Sequence, residues 1–234
     1  MLFSNSKHHF NASKKNQYET SINLSTETTY KTQRENKKRP HSSCNTTSMA
    51  MGLDIVGFSR NIKVKTGVRL ADHLTDFYSS DEGYKARARI SPWADKNGIH
   101  PAQVHDVLAW GVNNLVGKDI VRFSTNTPIV DIESALWNGR PSVVSGDWPF
   151  IDRHGNHITI GHIVILVGLF LDKNGKKFYI IDDPYGDYHT KYKNKNGNDI
   201  IMPEEDFLNI VRGNKKTKWA HVFLEKHPEG PFKR

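Results

Sequence analysis

Cysteine is nearly absent from this chain of 234 residues: there is one, Cys44. A single thiol excludes an internal disulfide framework and any zinc site built on several thiolates. Long apolar runs are missing as well. The longest, Ile163 to Leu171, is interrupted by Gly168 and has the length of a strand, well below the roughly 20 residues of a membrane helix. No membrane span is therefore expected. The opening stretch, Met1 to Lys15, lacks the apolar region of a secretory leader. The expected location is cytoplasmic, or phage-associated and released without a standard leader. An excess of negative charge is absent too: Lys and Arg number 33 against 25 Asp and Glu, a formal net charge of +8.

That positive charge is unevenly placed. Residues 1–43 carry eight Lys/Arg against three Glu, residues 213–234 carry six against two acids, and residues 44–212 are left at a net of −1. The central stretch shows no basic cluster joined to base-reading or stacking residues, so dedicated nucleic-acid binding is not expected. Loose attraction of the ends to polyanions stays open. A hydrophobic content of 36% with 25% charged residues belongs to the polar end of globular proteins, with length for one core plus a tail.

Punctuation and periodicity divide the chain. Residues 1–28, rich in Ser, Thr, Asn and Lys, read as a disordered or loosely attached basic tail, with His8 and His9 as polar tail residues rather than a metal site. One domain is expected over 29–226, followed by a short tail over 227–234. Met49, Leu53 and Val56 fall at i, i+4 and i+7, one stripe of an amphipathic helix that Gly57 would end. Cys44 lies at or just before the first turn of that helix. Further helices are expected over Val68–Tyr78, from Pro101 onward, and over Ile129–Trp137. Strands are expected at Asp119–Phe123, Ser142–Ser145, Gly161–Leu171, Lys177–Asp182, Ile200–Met202 and Trp219–Leu224, with a helix at Glu204–Val211. Asp172-Lys173-Asn174-Gly175 reads as a hairpin turn. Helices come first, strands later, and the connections are hairpin-like. This pattern predicts an α+β fold with an antiparallel sheet.

The residues able to do chemistry form a sparse, ordered set. A thiolate at a helix N-terminus is stabilised by free N–H groups, but it still needs a base, and the base an orienting acceptor. Pairing about the Asp172–Gly175 turn sets residues whose numbers sum to about 347 opposite one another. That register brings His162 near Asp183. Each residue alone has a plain reading: a buried small hydrophobe, a strand-end histidine, a turn aspartate. Cys44, however, sits among Ser43, Asn45, Thr46 and Thr47, a polar setting poor for a core residue. Jointly, the order Cys, His, Asp favours a site. His154 and His157 with His162 could be read as a metal cluster, but no helical spacing supports it. No metal and no cofactor is expected.

Several segments together resemble the peptidase C39-like family, papain-like cysteine peptidases common in bacteria and phages. Gln33-Arg34-Glu35-Asn36, then Cys44-Asn45-Thr46-Thr47-Ser48-Met49-Ala50-Met51, resembles its Q-x-x-N…C-N-x-T-S-x-A-M opening. Gly139-Arg140-Pro141-Ser142-Val143, Gly161-His162-Ile163-Val164 through Gly168, and Asp183-Pro184-Tyr185-Gly186 are similar to its later segments, and Lys218-Trp219-Ala220 to its end. The likeness spans about residues 30–225. It implies a papain-like fold, with Cys44 as nucleophile, His162 as general base and acid, Asp183 as the residue orienting the imidazole, and the Gln33 amide as a donor to the oxyanion. Asp182 competes with Asp183 for the third role. Asp183, directly before proline, is preferred. Gly146–Ile160 is longer and more polar than the family pattern and is expected to be a loop rimming the substrate cleft, where Trp148 and Phe150, together with Asn45, would contact a peptide.

The function expected is a cysteine peptidase or amidase acting on a peptide, a leader or a peptidoglycan stem peptide through an acyl-thioenzyme. The alternatives are acyl transfer or deamidation on the same fold, or a peptide-binding module without turnover. Nothing in the residues points to an oligomeric state.

Overall fold

The structure, a computed structural model, describes residues 9–10, 18–90, 94–95, 98–99, 101–152 and 154–232. In chain order the elements are β1 (Tyr18–Asn23), α1 (Cys44–Val56), α2 (Leu70–Tyr78), α3 (Asp81–Ile90), β2 (Ala94–Asp95), β3 (Gly98–Ile99), α4 (Pro101–Val116), β4 (Val121–Pro128) and α5 (Ile129–Trp137). They continue with β5 (Ser142–Ile151), β6 (His157–Asp172), β7 (Lys177–Asp182), β8 (Ile200–Pro203), α6 (Glu204–Ile210) and β9 (Thr217–Phe223). The fold is thus a mixture of helices and an antiparallel sheet, as the order of sequence signals predicts.

The main sheet runs β4-β9-β5-β6-β7-β8, with β1 as a seventh strand on β6. Its centre is β6, and both of its faces are covered. Val143, Ile163, Ile165, Val167 and Phe223 pack with the α1 side chains Met49, Met51 and Leu53. Val144, Val164, Leu166, Tyr179 and Ile181 pack on the other side with Ile132 of α5 and Phe207 of α6. A strand covered on both faces reads as a continuous apolar run, which is why Ile163–Leu171 shows no alternation. A bulge between Leu166 and Gly168 breaks the β6–β7 register. The extra residue moves Phe170 to the α1 side and Leu169 to the other, since a one-residue slip exchanges the faces of a strand.

α1 differs from the expected amphipathic helix. From Thr46 to Val56 every residue is buried, because α1 lies between the sheet and α2 rather than on the surface. Gly57, at φ 88°, ends it in the left-handed conformation as predicted. Gly52 lets the helix approach the sheet closely: a Cβ there would stand 2.4 Å from the Phe223 ring.

Three other expectations are corrected. Within the expected tail over 1–28, Tyr18–Asn23 belongs to the sheet, pairing with β6 antiparallel, Asn23 opposite Gly168, while residues 1–8 and 11–17 lie outside the described residues. β5 leaves β6 after Leu166, and β1 takes over the vacated edge and satisfies its backbone groups. Gly168 makes this possible, as a Cβ there would meet the Ile22 carbonyl at 2.1 Å. Residues 227–232 are docked, with the His227 and Phe232 amides donating to the Val56 and Asp54 carbonyls. Gly146–Ile160 is a β-hairpin arm, paired without interruption from Gly146↔His162 to Ile151↔His157 and turned by Asp152, whose Oδ1 accepts from the His154 and Asn156 amides. Beyond these corrections, α3 was not expected from the sequence, because half of Asp81–Ile90 is charged and too few apolar positions remain to make a stripe.

If the close α1–β9 approach holds the core together, Gly52→Ala should lower the unfolding free energy by about 1–3 kcal/mol. Urea denaturation would measure this, and an unchanged midpoint at an unchanged slope would contradict the packing.

Candidate active site

Three separated stretches meet at the N-terminal end of α1. The first residue of that helix is Cys44, and its N-cap Ser43 makes no capping hydrogen bond from its side chain. The Ser43 hydroxyl is instead engaged by Asn36 Nδ2 at 2.9 Å, and the same amide nitrogen donates to Thr47 Oγ1 at 2.8 Å. Asn36 therefore ties the segment before the helix to its first turn. That segment includes a 3-10 turn over Gln33–Glu35.

The second stretch is the hairpin of β6 and β7. The pairing Ile165↔Asp182 and Leu166↔Ile181 follows the predicted sum of 347. It brings His162 Nε2 to 2.7 Å from Asp183 Oδ1, both side chains buried. With Nε2 so occupied, Nδ1 is the ring nitrogen left to face the Cys44 sulfur, which borders the same cleft. Burial by itself would lower the imidazole pKa. The Asp183 carboxylate and the Cys44 sulfur outweigh it and push His162 up to about 10.

Asp183 and not Asp182 reaches the histidine. Adjacent strand residues face opposite ways, and Asp182 points to Ser25 Oγ, 2.6 Å from its Oδ2, and to the Asp199 amide, 2.8 Å from its Oδ1. Burial, with Asp199 nearby, holds the Asp182 carboxyl up to about 7. Asp183 is fixed from several sides. Its Oδ1 also accepts from the Tyr185 amide at 2.8 Å, its own amide donates to the Gly197 carbonyl, and its carbonyl accepts from the Tyr30 hydroxyl.

The third stretch is the turn carrying Gln33. Its amide and the Thr32 hydroxyl both donate to the Pro184 carbonyl, and Arg34 Nε donates to the Tyr185 carbonyl while its guanidinium lies 3.7 Å over the Tyr185 ring. Gln33 is thereby clamped to the residues after Asp183. Its side-chain nitrogen donates to the Pro40 carbonyl at 3.0 Å. An amide nitrogen carries two hydrogens, so one donor remains.

These residues border a cleft of about 270 Å³ whose walls include Gln33, Cys44, His162, Phe150, Ile160 and Tyr185. The structure thus brings together Gln33, Cys44, His162 and Asp183, with Phe150 at the rim as expected. Two other expectations are corrected. Trp148 is fully buried, because residues 183–192 cover it: its ring meets His162 edge-on at 5.9 Å and Tyr188 at 5.2 Å. It is a wall behind the imidazole and does not face a substrate. Asn45 lies outside the cleft lining, and its Oδ1 accepts from the Thr46 amide. His157 sits five residues along β6 from His162, about 17 Å at strand rise, and shares no site with it.

The sequence reading passed over Asn36 and the aromatic shell. Asn36 stood in the quoted motif as a letter without a role. Tyr185, Tyr188 and Tyr192 lie in a stretch rich in Tyr, Asn and Lys that gave no periodic signal. In the structure Lys191 and Tyr192 adopt consecutive positive φ angles of 55° and 61°, a conformation costly for non-glycine residues.

Comparison with known proteins agrees in family. Residues 11–209 match the Peptidase_C39 like family. A candidate C39-like peptidase from Bacillus anthracis superposes with a TM-score of 0.48 and 16% identity, covering 89% of this chain and 99% of that one. The bromelain protease of Ananas comosus, solved with the E64 inhibitor, gives 0.42 and 12%, covering 88% and 99%. No curated protein matches the chain.

The raised His162 has a consequence for stability. A histidine held above its unfolded value near 6.5 contributes stability that is fully present below that pH and is lost as pH rises toward about 10. The unfolding free energy of the wild type should therefore fall between pH 6.5 and 10. Asp183→Asn, which removes the charge responsible, should flatten this slope. Chemical denaturation across that range measures both, and equal slopes would refute the assigned cause.

Proposed function

We propose that this chain, which belongs to the Peptidase_C39 like family, is a cysteine peptidase that cleaves a peptide or peptidoglycan stem-peptide bond through an acyl-thioenzyme. One observation carries the reading: Cys44, the first residue of α1, and His162, held from behind by the buried Asp183, line one cleft.

The steps follow from the groups present. The Cys44 sulfur attacks the scissile carbonyl, whose oxygen takes the negative charge. The free hydrogen of Gln33 Nε2 and the Cys44 amide are the donors for that oxygen, and one preorganised donor is worth on the order of 3 kcal/mol. His162 gives its proton to the departing amine, and Asp183 keeps the imidazole in the plane that allows this. The thioester then remains on Cys44. Water, deprotonated by His162, attacks it, releasing the acid product and the thiol. Phe150, Ile160 and Tyr185 provide apolar walls, which fits an extended peptide with a large apolar side chain beside the reacting bond.

Purified peptidoglycan and a peptide library, each incubated with wild type and with Cys44→Ala, test the proposal. Cleavage by the wild type and none by the variant is expected, with free acid at the new end. Cleavage that survives Cys44→Ala would overturn it, and so would products that are exclusively amides formed with an added amine. With a cleaved peptide in hand, Gln33→Ala should lower kcat by about 10²-fold with little change in KM. An unchanged kcat would remove Gln33 from the oxyanion site.

A further inference from the structure

We infer that Tyr192 is a positioning residue for the His162–Asp183 pair, its hydroxyl set against the second carboxylate oxygen of Asp183 so that the first stays on the imidazole. The inference rests on the proposed roles of His162 and Asp183.

Asp183 has two oxygens and only one is explained. Oδ1 accepts from His162 Nε2 and from the Tyr185 amide. Oδ2 is buried and has no hydrogen-bond partner among the described residues. A carboxylate tethered through one oxygen can turn about its χ2, and turning would carry Oδ1 off the imidazole. The Tyr192 hydroxyl is buried too and likewise has no hydrogen-bond partner among the described residues, so a buried donor and a buried acceptor each lack one. Burial first, then the Asp183 charge, holds the Tyr192 phenol well above the usual tyrosine range. The hydroxyl therefore keeps its hydrogen, and a small turn of the side chains lets it donate to Oδ2.

The backbone is shaped to put it there. Lys191 and Tyr192 both take positive φ, and the turn is closed by the Tyr192 amide donating to the Asp187 carbonyl and by Lys195 Nζ donating to the Tyr192 carbonyl. The ring stands edge-on to His162 at 6.1 Å and packs against Phe150 at 5.6 Å and Tyr185 at 5.3 Å. Tyr192 is not among the residues lining the cleft. It would act through Asp183 and would not touch substrate. Other charged or titratable groups near the pair are Cys44 beside His162, and Asp182, Tyr30 and Tyr188 around Asp183. Asp182 is committed to Ser25 and Asp199, Tyr30 to the Asp183 backbone, and the Tyr188 hydroxyl to Asp206 at 3.2 Å.

Tyr192→Phe removes the hydroxyl and keeps the ring. The titration of His162, followed by 15N NMR of histidine-labelled protein, should move to lower pH by about half a unit or more, because a freed Asp183 supports the imidazolium less well. With a cleaved peptide, kcat should fall about tenfold, a fraction of what general acid–base catalysis supplies, with KM within about twofold. Tyr188→Phe is the control for the loss of any buried hydroxyl and should leave the His162 midpoint in place. In an Asp183→Asn background, Tyr192→Phe should add no further shift. An unmoved midpoint in Tyr192→Phe would overturn the inference, as would an equal shift in Tyr188→Phe or an additive shift over Asp183→Asn. The NMR readout needs no substrate. A wild type that cleaves nothing, with the expected shift present, defeats the peptidase reading and leaves the positioning role standing.

Discussion

The hydrogen bond between His162 and Asp183 sets the terms for its surroundings. A buried carboxylate without a partner costs several kcal/mol, and a buried imidazolium is no cheaper. Both side chains are almost wholly enclosed, so each must be held where the other can reach it. The register of β6 on β7 supplies the coarse placement. Tyr30, Gly197 and the Tyr185 amide then fix Asp183, while Trp148 backs the imidazole. Much of what lies within reach of this pair is arranged to keep water away from it on every side but the cleft.

Cys44 and the His162–Asp183 pair are joined by packing rather than by sequence proximity. α1 is buried along its length, so its N-terminus cannot shift without disturbing the contacts of Met49, Met51 and Leu53 with the sheet. Its less buried end is the one that carries Cys44. Asn36 and the Gln33 turn lock the preceding segment both to that end and to the residues after Asp183. The cleft is thus the common boundary of three rigid pieces, a geometry suited to stabilising charge that appears only during reaction.

Periodicity and turn chemistry made most of the fold legible. The Asp172–Gly175 turn was enough to pair β6 with β7 and to bring His162 to Asp183, because a short hairpin turn sets the register. Gly57 and the span of α5 were equally plain. The failures share a cause. β1 carries no strong pattern, since it fills an edge that β5 vacates, a fact written in distant strands. α1 looked amphipathic because Thr and Ser at its buried positions, such as Thr46, Thr47 and Ser48, count as polar in a pattern while their hydroxyls are satisfied inside. Trp148 looked like a rim residue because nothing local announces that residues 183–192 fold over it. At the site, Cys44, His162 and Asp183 were visible as residue types in order. The aromatic shell was not, because ring packing has no sequence period.

The paired strand β1 bears on how the molecule comes together in time. β6 and β7 lie next to each other along the chain, and the hairpin they form needs only a short loop to close. β1 must instead find a partner about 145–154 residues further on, and β4 and β9 pair across about 89–102. Contacts of such separation are slow to form, since the entropy of closing a long loop precedes the gain from making it. Cys44 emerges early in synthesis, well before His162 and Asp183. A chain still being made therefore carries Cys44 without His162 and Asp183, and the cleft is complete only once β6 and β7 have been made and packed on α1.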